Sequence, residues 1–142
     1  MCRRQGAGEL AMTIRTSRAV AAMALCATLG SGEALAQKVT YTDTQALRGS
    51  QEFAGACSKC HGGAATGGQG PALVGAKFDA AWRGKPAKQL FEFISGNMPY
   101  DDPGGLGKDT YVAIMAHILK LNGIPSGQGP LVVDPPGVIP AR

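Results

Sequence analysis

The chain is expected to be helical, with short regular elements and long loops held by one internal staple. Three observations predict this. Apolar or small residues recur at helical spacing in two segments, Gly49, Phe53 and Cys57 in one and Tyr111, Ile114, Ile118 and Leu121 in the other. The 142 residues include 21 Gly and 9 Pro, which interrupt helices and strands and keep regular structure short. Aromatic residues make up only 6%, which leaves little apolar area to hold so many loops. Small domains in that position rely on disulfides, a metal or a large buried cofactor.

Length and composition bound the answer further. The chain is long enough for one modest domain plus extras. With 44% hydrophobic and 17% charged residues and a mean hydropathy of −0.01, it is not a polytopic membrane protein, a coiled coil or a highly charged disordered tail. The net charge of +4 is mild and no Lys/Arg run is interleaved with aromatics, so nucleic acid is not an expected partner.

Residues 1–36 read as an N-terminal extension followed by a secretory signal peptide. Arg15 and Arg18 precede an apolar stretch from Ala19 to Leu29, and Ala34-Leu35-Ala36 is a small-x-small cleavage site. The apolar run is shorter than the roughly 20 residues a bilayer demands, so no stable membrane insertion is expected after cleavage. The expected destination is the periplasm. Cleavage after Ala36 removes Cys2 and Cys26, leaving Cys57 and Cys60 as the only thiols, with ten basic against eight acidic side chains.

The first helix is expected over about Thr44 to Lys59, and it runs into Cys57-Ser-Lys-Cys60-His61. C-x-x-C-H is the attachment sequence for c-type haem. Positions i, i+3 and i+4 share one helix face, so both thiols can add to the haem vinyl groups while the imidazole rises under the iron. Half a zinc site and a redox dithiol are the competing readings. A structural zinc needs four ligands, whereas the mature chain has no second Cys pair and His117 as its only other histidine. A thioredoxin-like dithiol wants a βαβ setting, and a glycine-rich run from Gly62 to Gly70 follows here instead.

With that motif in place, residues 42 to 124 resemble the class I c-type cytochromes. The resemblance implies their all-α fold, three to five short helices and long loops around one covalently bound haem c, and a crossing of the first and last helices at Gly49 and Phe53. The last helix is read over Lys108 to Leu121, capped by Asn122-Gly123 and followed by Pro125. Ile114 and His117 stand where the family packs an aliphatic and an aromatic residue onto the first helix, which makes His117 an interface or surface imidazole rather than a ligand. Gly70-Pro71-Ala72-Leu73 resembles the family's proximal loop, in which the Pro71 carbonyl accepts the Nδ1 hydrogen bond of His61. The alternative is a simple turn proline.

The resemblance also implies a thioether as sixth ligand. Met115 lies inside the last helix as core filling. Met98, in a Gly-Asn-Met-Pro loop, is the chosen ligand, because the family's methionine is typically followed by Pro. Pro86 to Ser95 reads as a helix beneath that loop, with Leu90, Phe91, Phe93 and Ile94 as its apolar residues. Trp82 either meets a haem propionate or packs in the core. Residues 125–142 are a Pro/Gly-rich tail, an extended strap or a loose end.

With His61 and Met98 both on the metal, no substrate reaches the iron, which implies outer-sphere electron transfer rather than catalysis. The expected role is a monohaem electron carrier between a periplasmic dehydrogenase and a terminal oxidase or another cytochrome. The Met98–Leu106 loop is similar to those of small periplasmic cytochromes c serving quinoprotein alcohol dehydrogenases. A tightly bound haem subunit of one oxidoreductase complex is the alternative, and a haem enzyme or gas-binding protein with a labile sixth ligand is a third. Docking is expected through an apolar patch around Ala64-Ala65 and Met98-Pro99.

Overall fold

A computed structural model describes residues 37–142. The signal peptide reading, with Cys2 and Cys26, lies outside the described residues. Within them the chain forms five helices: α1 (Asp43–Ala56), α2 (Ser58–His61), α3 (Ala76–Trp82), α4 (Ala87–Asn97) and α5 (Lys108–Leu121). Extended backbone pairs only at isolated bridges, Lys38 with Val138 and Pro86 with Val138. The architecture of the described residues is all-α, as expected.

Helix α1 starts where its sequence supplies a full cap. The Thr42 hydroxyl accepts the Gln45 amide while the Gln45 side chain accepts the Thr42 amide, so two backbone donors are satisfied reciprocally. Its buried stripe is Ala46, Gly49 and Phe53. At Gly49 an added Cβ would strike the Ala113 carbonyl and lie 2.9 Å from the His117 Cβ. The two longest helices therefore cross backbone against backbone at the position where only glycine leaves room. α5 is buried on both flanks, with Tyr111 through Ala116, Ile118 and Leu119 all inside, and ends at Asn122 with Gly123 at φ +69°. Leu121, expected on the buried stripe, is instead 39% exposed.

Two boundaries differ from the sequence reading. The first helix does not run unbroken to Lys59. It kinks at Cys57 (φ −120°, ψ −32°) and resumes as the single turn α2. That turn ends at Gly62 because the glycine-rich loop takes over its carbonyls, Gly70 N–H bonding the Cys60 oxygen and Gly67 N–H the His61 oxygen. α4 runs two residues past Ser95, with Pro86 standing at the cap rather than inside the first turn.

Residues 125–142 run back over the helices as a strap. Leu131, Pro135 and Ile139 are buried. Val138 exchanges hydrogen bonds with Gln37 and Val39, Ile139 with Gly84 and Lys85, and Gly137 accepts the Ala87 amide. Arg83 donates to the Pro140 carbonyl and, through its other amino group, to the Asn122 carbonyl. The strap and the end of α5 thus share one guanidinium.

Candidate functional site

Cys57, Cys60 and His61 are brought together by the kinked turn, with the Cys57 amide still bonded to the Phe53 carbonyl and the His61 amide to that of Cys57. Both thiols are free and partly buried. Burial, with Cys60 close by, pushes the Cys57 thiol up to about 11. A redox dithiol needs the opposite, a stabilised thiolate. Among the described residues no group of three or more His, Cys, Asp or Glu could hold a metal ion, so a zinc site with protein ligands alone is not assembled there either.

His61 is 7% exposed and fixed on two sides. Its Nδ1 lies 2.7 Å from the Pro71 carbonyl oxygen. A carbonyl can only accept, so Nδ1 carries the proton and Nε2 keeps the lone pair. On its other side is Gly70, where a Cβ would stand 2.9 Å from Cε1 and 3.0 Å from Nδ1 of the ring. Any side chain there would push the imidazole off its acceptor.

The loop carrying Pro71 is itself clamped from α5. Asn122, 4% exposed, donates to the Leu73 carbonyl and accepts the Gly75 amide while also donating to Ile118. In the sequence Asn122 reads only as a helix cap, and its loop-holding role is visible only in the structure. An Asn where a cap followed by glycine needs no side-chain partner was the available hint.

Met98 is placed by different elements. It follows α4 in extended backbone, its amide bonded to the Ile94 carbonyl at 3.0 Å. Its side chain is half-buried against the core, as are those of Cys57, Leu73, Val74, Trp82 and Leu106. Met115 by contrast is wholly enclosed in α5. The Tyr111 hydroxyl, read from sequence only as part of an apolar stripe, donates to the Met98 carbonyl.

His117 lies on the helix crossing, its ring 5.4 Å from that of Phe53. Burial pulls its pKa below the usual imidazole value, with Lys120 adding to the effect. Trp82 packs on Phe93 at 5.3 Å, and the Lys85 ammonium stands 5.6 Å from its ring. The expected apolar patch needs correction, since Ala64 is exposed but Ala65 is completely buried at φ +56° and offers no surface. Tyr100, two residues after Met98, is 88% exposed, and Phe93 on α4 is 46% exposed.

The donor set fits haem c. Two free thiols stand three residues apart beside an imidazole oriented through Nδ1, and half-covered apolar side chains, Met98 among them, offer a surface that a large apolar group would cover. The family model described as Cytochrome C oxidase, cbb3-type, subunit III matches residues 44–118. The chain belongs to this family of c-type cytochromes. The match runs from the first turn of α1 into α5 and includes the C-x-x-C-H motif, Pro71 and Met98.

Among solved structures, this cytochrome is similar to the sulfane dehydrogenase SoxCD from Paracoccus pantotrophus, at 25% identity over 57% of this chain and 45% of that one, with a TM-score of 0.48. It is also similar to cytochrome CL from the marine methylotrophic bacterium Methylophaga aminisulfidivorans MPT, at 31% identity over 56% and 55% of the two chains, with a TM-score of 0.41. The chain spans about half the length of these two relatives. No curated protein matches it. Membership of the c-type cytochromes implies covalently bound haem c and electron transfer. Among the described residues no helix is long and apolar enough to cross a membrane.

Proposed function

We propose that this cytochrome is a periplasmic monohaem electron carrier, with Cys57 and Cys60 as the haem attachment points and His61 and Met98 as axial ligands. The observation that carries the reading is the hydrogen bond from His61 Nδ1 to the Pro71 carbonyl. It selects the tautomer whose Nε2 can coordinate, fixes the ring and raises its basicity. Haem c bound there supplies a one-electron Fe(III)/Fe(II) couple. Met98 supplies a soft thioether that favours the ferrous state and raises the potential. A thioether on the iron would leave no place there for water or small ligands, so these residues favour outer-sphere transfer over substrate chemistry.

The partners proposed are a periplasmic dehydrogenase, of the quinoprotein alcohol dehydrogenase kind, as donor and an oxidase or second cytochrome as acceptor. A second reading, a haem subunit held within one oxidoreductase complex, is favoured by the family description, which is that of an oxidase subunit. Haem staining after denaturing electrophoresis tests the attachment, and a Cys57→Ala, Cys60→Ala variant that kept the stain would refute it. Carbon monoxide binding readily to the reduced wild type would refute the closed sixth position. Co-purification with a partner at high salt separates subunit from free carrier.

A further inference from the structure

The nine residues from Met98 to Leu106 form an open loop whose two ends converge on one buried hydroxyl. Residues 100–105 are all exposed, and Pro99, Pro103, Gly104 and Gly105 leave the segment no helical or strand ladder to hold its register. Tyr111, only 2% exposed, donates its hydroxyl hydrogen to the Met98 carbonyl at 2.6 Å and accepts the Leu106 amide at 3.2 Å. The Gly104 amide reaches the same Met98 oxygen at only 3.4 Å, near the outer limit for such a bond.

We infer that Tyr111 is a positioning residue, whose hydroxyl pins both ends of this loop and so holds the Met98 thioether at the sixth coordination position. The inference rests on Met98 being the axial ligand. Within the loop, Asp102 bonds back to Pro99 and Gly105 to Asp102, which shapes the tip without tying it to the helices. Tyr111 stands on the most deeply buried helix, so the loop base takes its rigidity from the α5 core. The Phe variant keeps the ring and its packing while deleting both bonds, leaving the Leu106 amide unpaired and the Met98 carbonyl with its long contact alone.

The test compares Tyr111→Phe, Tyr41→Phe and Met98→Ala in the full haem-loaded protein. Tyr41 is a matched control, since it is 1% exposed and its hydroxyl donates to the Ile124 carbonyl, away from the loop. Two readouts report ligation: the sulfur-to-iron charge-transfer absorption of the ferric protein and its affinity for imidazole, which competes for the sixth position. Met98→Ala should abolish the absorption. Tyr111→Phe should weaken it and raise imidazole affinity about tenfold, the scale of one lost buried hydrogen bond, while Tyr41→Phe leaves both unchanged.

Unaltered imidazole affinity in Tyr111→Phe would overturn the inference, as would an equal rise in Tyr41→Phe, which would mark general loosening. If Met98→Ala kept the absorption, the ligand assignment itself would fall and the inference with it. Hydrogen exchange in the wild type gives a further check independent of any variant. The Leu106 amide should exchange slowly despite its open loop, and rapid exchange would also overturn the clamp.

Discussion

Gly49 on α1 lies directly against the main-chain carbonyl of Ala113 on α5. The obstacle to a larger residue is backbone inside a buried helix, which cannot rotate aside as a flexible side chain would. Gly49→Ala is therefore expected to force the helices apart, at a cost toward the upper end of the roughly 1–3 kcal/mol usual for overpacking. Denaturant melts of the haem-loaded protein measure this. Helix propensity alone favours Ala over Gly by about 1 kcal/mol, so no loss, or a gain on that scale, would show that the crossing can slide.

The reach of the sequence is uneven for physical reasons. α5 is read to the residue because a long amphipathic run ends in Asn122-Gly123, where chain chemistry and tertiary contact agree. α3 carries no comparable pattern. Its seven residues are framed by Gly75 at φ +66° and Gly84 at φ +75°, and only Phe78 is buried, so its helix depends on neighbours. The break at Cys57 is likewise invisible, because the apolar spacing continues through it and the carbonyls that end α2 are claimed by glycines up to ten residues later. Among the site residues, the motif and Met98 carry chemistry in their identity. Asn122 and Tyr111 act through hydrogen bonds to distant backbone, which no local spacing encodes.

The two methionines of the described chain should separate cleanly. Met98→Ala opens the sixth position, lowers the potential and admits cyanide or carbon monoxide. Met115→Leu, nearly volume-conserving in a fully enclosed site, should cost less than about 1.5 kcal/mol and leave the spectrum alone. Redox titration and absorption spectra decide, and the reverse pattern would exchange the assignments.

Gly70→Ala tests the floor under His61. The new methyl would meet the ring within 3 Å, so the imidazole must shift and its bond to Pro71 lengthen. The expected outcome is a raised potential from a less basic ligand together with a lower yield of haem-loaded protein. A potential and yield equal to wild type would mean that the ring has slack the packing does not suggest.

Folding should depend on the haem. About a quarter of the residues after Ala36 are Gly or Pro, and ordering that backbone costs on the order of 1–2 kcal/mol per residue. The half-covered side chains Cys57, Leu73, Val74, Trp82, Met98 and Leu106 gain their full burial only against a bound apolar group. Cys57→Ala with Cys60→Ala should therefore give a chain with little helical circular dichroism and no cooperative melt. Native-like helicity with a sharp transition would show that the polypeptide core suffices.

Acid stability gives the last test, through His117. Burial holds its pKa below the ordinary imidazole value in the folded protein, with Lys120 reinforcing the shift, so the unfolded chain takes up the proton first as pH falls. The stability associated with a neutral His117 is complete above about pH 6.5, the unfolded value, and declines as pH drops from there through the lower folded pKa. Asp43, paired with Lys120 and Ser126, also has a lowered pKa. Its contribution is lost only below the ordinary carboxylate range, so it does not act in the same window. Urea melts of the haem-loaded protein at pH 8 and pH 5 should accordingly show a loss of stability in the wild type that shrinks in His117→Phe, which keeps a ring against Phe53 and cannot titrate. An equal loss in both proteins would place the acid-sensitive group elsewhere than at the crossing of α1 and α5.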